Sequence, residues 1–82
     1  MTPEDVVDTF GDKATQLRVK LLESDNGLVL VEGRADDLRF LGQLLLAVAD
    51  GGDPGFHIDP HGAGAAHFDP NSPLGLYIHR TE

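Results

Sequence analysis

Side chains that could bind a metal or move a proton are concentrated in one stretch, HIDPHGAGAAHFDP, at residues 57–70. It contains three of the four histidines and repeats the phrase His-x-Asp-Pro, first at His57 and again at His67. Alternate side chains of a strand share a face, and imidazole and carboxylate groups are ligands for zinc, iron and manganese. One hypothesis is therefore a small metal-binding protein or metal-dependent enzyme. Its ligands would come from His57, Asp59, His61 and His67, with His79 as a further donor.

The same stretch also has a purely structural interpretation. An Asp-Pro pair starts a turn, because the aspartate caps the backbone that follows and proline fixes the bend. Asp59-Pro60 and Asp69-Pro70 would then end two strands, and the histidines would lie on the surface at the sheet rim. The sequence has no H-E-x-x-H spacing and no nucleophile elbow around Ser24 or Ser72. On this interpretation we expect no enzymatic activity and no cofactor.

Length and charge limit the function further. The 82 residues suffice for one domain, spanning 1–82, and the absence of cysteine excludes disulfides and thiolate zinc sites. A net charge of −8 argues against nucleic acid or an anionic membrane as partner, and it favours association with a basic protein. The longest apolar run, 44–49, is far shorter than the roughly 20 residues that span a bilayer. We therefore expect a cytoplasmic protein.

The elements that must position these residues begin with a hairpin. Residues 16–22 and 28–34 alternate apolar and polar side chains, which predicts two strands. A three-residue loop over 25–27, with Gly27 in the left-handed conformation, keeps the apolar residues of both strands on one face. The cross-strand pairs of that register would be Leu21 with Val31 and Lys20 with Glu32.

A helix over 36–50 follows, with Asp36 as N-cap and Gly51-Gly52 as its end. Phe40 and Leu46 lie away from the centre of its apolar stripe, so we expect some exposed apolar surface there. Residues 1–14 are either a short helix from Pro3 to Phe10 or a flexible lead-in. The predicted stripe consists of Leu38, Leu41, Leu45 and Val48, flanked by Leu44 and Ala49.

Residues 55–59 and 74–80 alternate again and predict two more strands, joined by a loop over 62–72 with a short strand near His67 and Phe68. The order β-β-α-β-β predicts a small α+β domain with one antiparallel-rich sheet and the amphipathic helix packed on one face. The other face would be open and could bind a partner. Its predicted contact residues are Glu32, His57, Asp59, Asp69, Tyr77 and His79.

Three segments together, VEGRADDLRFLGQLLLAVADGG, FHIDPHG and FDPNSPLGLYIHR, resemble the immunity protein 32 family of bacterial polymorphic-toxin systems. The resemblance extends over residues 17–80. It implies a non-enzymatic inhibitor that binds a cognate protein toxin, often a nuclease, in the cytoplasm of the producing cell. A homodimer formed through the open sheet face, or through the helix flank that carries Phe40 and Leu46, is a further alternative.

Overall fold

The N-terminal segment forms a helix, α1, from Pro3 to Phe10 in the computed structural model, which describes residues 2–22, 27–51 and 54–82. Its first turn is capped reciprocally: the Thr2 hydroxyl accepts from the Asp5 amide and the Asp5 carboxylate accepts from the Thr2 amide, both at 3.1 Å. Gly11, at φ +48°, ends α1 and begins a 3₁₀ turn. Of the two alternatives for residues 1–14, the helix from Pro3 to Phe10 is confirmed.

The first hairpin consists of β1, Arg18–Leu21, and β2, Val29–Glu32. Its register differs from the predicted one by two residues. Leu21 lies opposite Val29 rather than Val31, Lys20 lies opposite Leu30, and the ion pair to Glu32 comes from Arg18 at 3.1 Å. A shift of two keeps every side chain on its predicted face, so the apolar pattern alone could not distinguish the registers.

The prediction of a three-residue loop is also wrong, because the register of the hairpin is shifted by two residues. The Leu22 amide donates to the Leu28 carbonyl at 3.0 Å, so the connection is longer than predicted. Gly27 does take the predicted left-handed conformation, at φ +73°. Residues 25 and 26 of the predicted loop lie outside the described residues.

The long helix α2 spans Ala35–Asp50 and ends at Gly51 as predicted. Asp36 lies inside its first turn and is not the N-cap, a position that Arg34 takes. The buried face is also rotated from the predicted stripe: Leu38 and Leu45 are each 47% exposed, and Phe40 is fully buried. Because α2 has leucines on most sides, more than one of its faces is apolar enough to be buried. Here the aromatic ring of Phe10 packs edge-on against Phe40, which places the face that carries Phe40 in the core. The buried residues of α2 are Asp37, Phe40, Leu44, Ala47 and Val48.

This rotation also changes the predicted dimer flank. Leu46 is 57% exposed, but Phe40 lies in the core and cannot contribute to a surface. Part of the predicted homodimer surface is therefore absent from this face of α2.

The second hairpin consists of β3, Gly55–Ile58, and β4, Leu76–His79, with His57 opposite Tyr77. The predicted single sheet is wrong, because the described residues form two separate two-stranded antiparallel sheets. The order is α1-β1-β2-α2-β3-β4. The chain is a small α+β fold, as predicted, with one helix more than the predicted order contained.

The segment 67–74 explains why the two sheets do not merge. It runs along the outer edge of β1, where the Leu17 amide donates to the His67 carbonyl and the Leu74 amide donates to the Val19 carbonyl, at 3.1 and 3.2 Å. Two prolines without amide hydrogens, Pro70 and Pro73, prevent this segment from continuing as a strand. The predicted short strand is a 3₁₀ turn, Ala65–His67, followed by a single parallel bridge from Phe68 to Leu17.

The core lies between α1, α2 and the inner faces of both hairpins. In the described part of the chain, no helix combines the length and the apolar character needed to cross a membrane. The buried apolar residues are Val6, Ala14, Leu17, Val19, Phe40, Leu44, Ala47, Val48, Ile58 and Phe68.

Candidate functional site

The two His-x-Asp-Pro phrases form the same turn. The Asp59 carboxylate accepts a hydrogen bond from the His61 amide, and the Asp69 carboxylate accepts one from the Asn71 amide, both at 2.7 Å. In each phrase the aspartate carbonyl also accepts from the amide three residues further on. The turn interpretation of the Asp-Pro pairs is therefore confirmed, and both carboxylates are used by the backbone.

The histidines of the two phrases differ. His57 is exposed on β3, whereas His67 is buried. The imidazole of His67 stacks on Phe40, with ring centroids 4.3 Å apart, and its Nδ1 donates a hydrogen bond to the Ala14 carbonyl oxygen at 2.7 Å. The expectation that these histidines are all surface residues is wrong for His67, because the 3₁₀ turn directs its ring into the core.

This burial also separates the ligands of the metal hypothesis. His67 points into the core and its Nδ1 has a backbone partner, while His57 and His61 are exposed. Across residues 2–22, 27–51 and 54–82, no three histidine, aspartate or glutamate side chains are placed to hold a metal ion.

Three of the predicted contact residues lie together on the outer face of the β3–β4 hairpin. His57 and Tyr77 are directly opposite each other with ring centroids 6.3 Å apart, and His79 follows at 6.1 Å from Tyr77. Tyr77 is 72% exposed, and its ring lies over Gly55, where a Cβ atom would come within 3.0 Å of the phenolic oxygen. We call His57, Tyr77 and His79 the aromatic row.

The other predicted contacts are placed elsewhere. Glu32 lies at the end of β2, in the other sheet, and is paired with Arg18. Asp59 and Asp69 follow β3 and the 3₁₀ turn, respectively, in the two Asp-Pro turns. The six predicted residues therefore do not share one sheet face.

An open groove of about 380 Å³ lies between α1 and β3, and we call it the α1–β3 groove. Its size is within the range of ligand pockets. The loop at Ala63 and Gly64 also contributes to its lining. Apolar side chains come from Val7, Phe56 and Ile58, and polar ones from Glu4, Asp8 and His57. His57 thus belongs to both the groove and the aromatic row.

The acids of this groove lack cationic partners within the described residues. The ion pairs found there are Arg18–Glu32, Arg34–Asp37 and Arg39–Asp36, so Glu4 and Asp8 are not paired. The two acids are one turn apart on α1, a spacing at which like charges destabilise a helix. The repulsion between Glu4 and Asp8 therefore costs α1 some stability, at the edge of a groove with an apolar lining.

A third acid shows what a structural carboxylate looks like in this molecule. Asp37 is fully buried and accepts from the Gln16 amide at 3.0 Å and from the Arg34 amide at 2.7 Å. Burial raises the pKa of the Asp37 carboxyl, but these hydrogen bonds and the Arg34 guanidinium outweigh it, so its pKa lies below the ordinary value. Asp37 joins the start of α2 to the segment before β1, whereas the carboxylates of Glu4 and Asp8 form no such hydrogen bonds within the described part of the chain.

The alternation of side chains along the strands could not predict the groove, because it identifies only residues on the open face of a sheet. The available signal was in residues 1–14, where Glu4 and Asp8 share one face of the predicted helix with Val7 beside them.

Comparisons of the chain with models of known protein families, with curated proteins and with solved structures found no match.

Proposed function

We propose that this protein is a non-enzymatic inhibitor of the immunity type, which binds and neutralises a basic protein toxin in the cytoplasm of the cell that produces both. The observation that carries the proposal is the α1–β3 groove, where Glu4 and Asp8, which form none of the ion pairs of the described residues, lie beside apolar side chains. The resemblance to the immunity protein 32 family supports the same function.

The groove suits a segment that presents both apolar and cationic side chains. Removing apolar surface from water stabilises a complex by roughly 25 cal/mol per Å² before the costs of association. Glu4 and Asp8 would meet lysine or arginine, and the net charge of −8 would speed the encounter. A nuclease toxin fits this description, because a surface that binds the phosphate backbone carries lysine and arginine.

The aromatic row would extend the contact beyond the groove. Tyrosine is enriched among the residues that dominate binding energy at protein interfaces, because it supplies a large rigid area with one polar group. Tyr77 is the most exposed large hydrophobic side chain of the β3–β4 hairpin. The predicted contacts Glu32, Asp59 and Asp69 stay predictions, and each carboxylate already has a hydrogen-bond partner within the chain.

Co-expression with the product of the neighbouring gene tests the function. We expect growth rescue in cells that produce that toxin and a complex that survives size-exclusion chromatography. A toxin that kills equally in the presence of this protein, together with the absence of a complex, would refute the proposal.

Charge reversal tests the surface. The double variant Glu4→Lys with Asp8→Lys should weaken toxin binding by roughly thirtyfold or more, from about 1–2 kcal/mol for each lost charge pair. The double variant Asp50→Lys with Glu82→Lys is the matched control, since it makes the same change in net charge at two exposed acids outside the groove. Equal weakening in the two double variants would indicate that only net charge matters.

A further inference from the structure

Strand β3 has one edge paired with β4 and one edge that faces the α1–β3 groove. In an antiparallel ladder, residues alternate between those that bond to the partner strand and those whose amide and carbonyl point to the opposite edge. The Arg80 amide donates to the Pro54 carbonyl at 2.7 Å, which makes this a hydrogen-bonded pair. By the alternation of the register, Phe56 and Ile58 also bond to β4, and Gly55 and His57 point away from it.

Asp59, two residues after His57, confirms that the amides of alternate residues point away from β4. The Asp59 amide donates to the Ala63 carbonyl at 2.8 Å, and Ala63 lines the groove. The loop therefore occupies the end of the free edge. The amides and carbonyls of Gly55 and His57 have no backbone partner among the described residues, and both residues line the groove.

We propose that the α1–β3 groove receives an extended basic segment of the partner, which adds to the free edge of β3 as a third strand. This inference rests on the proposed function and specifies how the partner is held. The backbone of the segment pairs with Gly55 and His57, and this main-chain pairing is the usual basis of strand addition. Its apolar residues contact the apolar lining, and its lysine or arginine side chains reach Glu4 and Asp8.

The acidic side chains beside the α1–β3 groove determine which kind of segment can pair with the free edge of β3. A free edge can also pair with the same edge of a second copy, a route to aggregation that proteins commonly block with charged side chains. Here a second copy would bring another Glu4 and Asp8, on a chain of net charge −8, against the first pair of acids. The same acids attract a basic segment. The acidic edge of the groove therefore disfavours self-pairing and favours a cationic partner.

The edge is short, so the backbone alone cannot hold the partner tightly. Only Gly55 and His57 offer outward groups within β3, and the next outward amide, that of Asp59 just beyond the strand, is already bonded to the loop. A net hydrogen bond contributes roughly tenfold or less to an equilibrium constant. Side-chain contacts and the aromatic row must supply the remaining affinity and the choice of partner.

A synthetic peptide that alternates valine and lysine tests the pairing on the native chain. We expect it to bind and to slow hydrogen exchange of the His57 amide by roughly tenfold or more. The same peptide with N-methylated backbone amides, which cannot donate to the β3 carbonyls, should not bind, and neither should a peptide alternating valine and glutamate. Equal binding of the N-methylated peptide, or an unprotected His57 amide in the complex, would overturn strand addition.

Two proline variants provide the matched comparison. His57→Pro removes the outward amide at the groove, and His79→Pro removes an outward amide at the opposite edge of the same hairpin. We expect the first to weaken peptide binding by up to roughly tenfold and the second to leave it unchanged. Equal weakening in both variants argues against the proposal. If His57→Pro does not fold, the N-methylated peptide still decides the question on the unaltered protein.

The outcomes separate the inference from the proposed function. If the toxin is neutralised with equal affinity by His57→Pro and by the unaltered protein, the function stands and strand addition is wrong. If the alternating peptide pairs with β3 but no basic toxin is neutralised, strand addition stands and the immunity function is wrong.

Discussion

The two His-x-Asp-Pro phrases have nearly the same sequence, the same turn and opposite histidines. In both, the aspartate carboxylate accepts from the amide two residues further on, at 2.7 Å. Yet His57 lies at the surface beside the α1–β3 groove, and His67 is buried against Phe40. Short-range hydrogen-bond chemistry determines the turn, but it does not determine where the residue two positions earlier points.

The difference comes from the element that precedes each turn. His57 belongs to strand β3, where alternation places Ile58 in the core and His57 outside. His67 ends a 3₁₀ turn, where the side chains do not alternate, and both His67 and Phe68 are buried. One phrase therefore presents a side chain to a partner, and the other fills the core.

The largest effect we expect is from removing the buried ring. His67→Ala should lower the free energy of unfolding by about 4 kcal/mol, because it leaves a cavity beside Phe40 and deprives the Ala14 carbonyl of its donor. His57→Ala should change it by about 0.5 kcal/mol or less, as is usual for an exposed side chain. Urea unfolding monitored by circular dichroism measures both.

A second substitution separates the two causes. His67→Phe keeps the aromatic stack and removes only the hydrogen bond, so we expect a loss of about 1–2 kcal/mol. A loss as large as that of His67→Ala would mean that the hydrogen bond to Ala14, rather than ring packing, dominates.

Asp37 extends the comparison to a carboxylate that is both buried and bonded to the backbone. Asp37→Asn should cost about 2–3 kcal/mol at neutral pH, because the amide hydrogens of Gln16 and Arg34 lose a charged acceptor. The pKa of the Asp37 carboxyl is lowered in the folded state, so its stabilising contribution is complete above the unfolded pKa of about 3.9. That contribution is lost as the pH falls through the folded pKa.

The measurement is the difference in unfolding free energy between the unaltered protein and Asp37→Asn across the acidic range. We expect a constant difference at neutral pH that shrinks below about pH 4. A difference that grew with acidity would mean that the folded pKa of Asp37 is raised rather than lowered.

Ser72 and Gly62 occupy equivalent positions, each donating its amide to the aspartate carbonyl of its turn. Ser72 is buried and its hydroxyl accepts from the Val19 amide at 3.0 Å, whereas Gly62 is exposed. Ser72→Ala should therefore cost about 2 kcal/mol, because a buried amide of β1 loses its acceptor. Thermal unfolding checks this, and a change of about 0.5 kcal/mol or less would show that water replaces the hydroxyl.

The sequence alone predicted the features that depend on neighbouring residues. The end of α2 at Gly51, the left-handed Gly27 and both Asp-Pro turns follow from local chemistry, as does the helix from Pro3, which was one of two alternatives for residues 1–14. These features need only a few residues of context, and no tertiary contact has to be known to infer them.

The features that were missed depend on residues far apart in the chain. Phe40 is buried because Phe10 and His67 pack on it from opposite ends of the sequence. The prediction of a single sheet was wrong because residues 67–74 cover the edge of β1. The α1–β3 groove requires both α1 and β3 to be placed, so neither its acids nor its free strand edge could be located from strand parity.

A smaller loss of stability is expected from the turn carboxylates, and it tests whether the two turns are energetically as alike as their geometry. Asp59→Ala and Asp69→Ala each remove one carboxylate that caps the backbone, so each should cost about 1 kcal/mol. Asp69 lies in the segment that bonds to β1 through its own amide, at 2.9 Å from the Leu17 carbonyl oxygen, but this backbone bond survives the substitution. Equal losses in urea unfolding would show that the turn is a local unit, whichever side its histidine faces. A clearly larger loss at Asp69 would mean that the second turn also holds the edge of β1 in place, and the two phrases would then differ in more than their histidines.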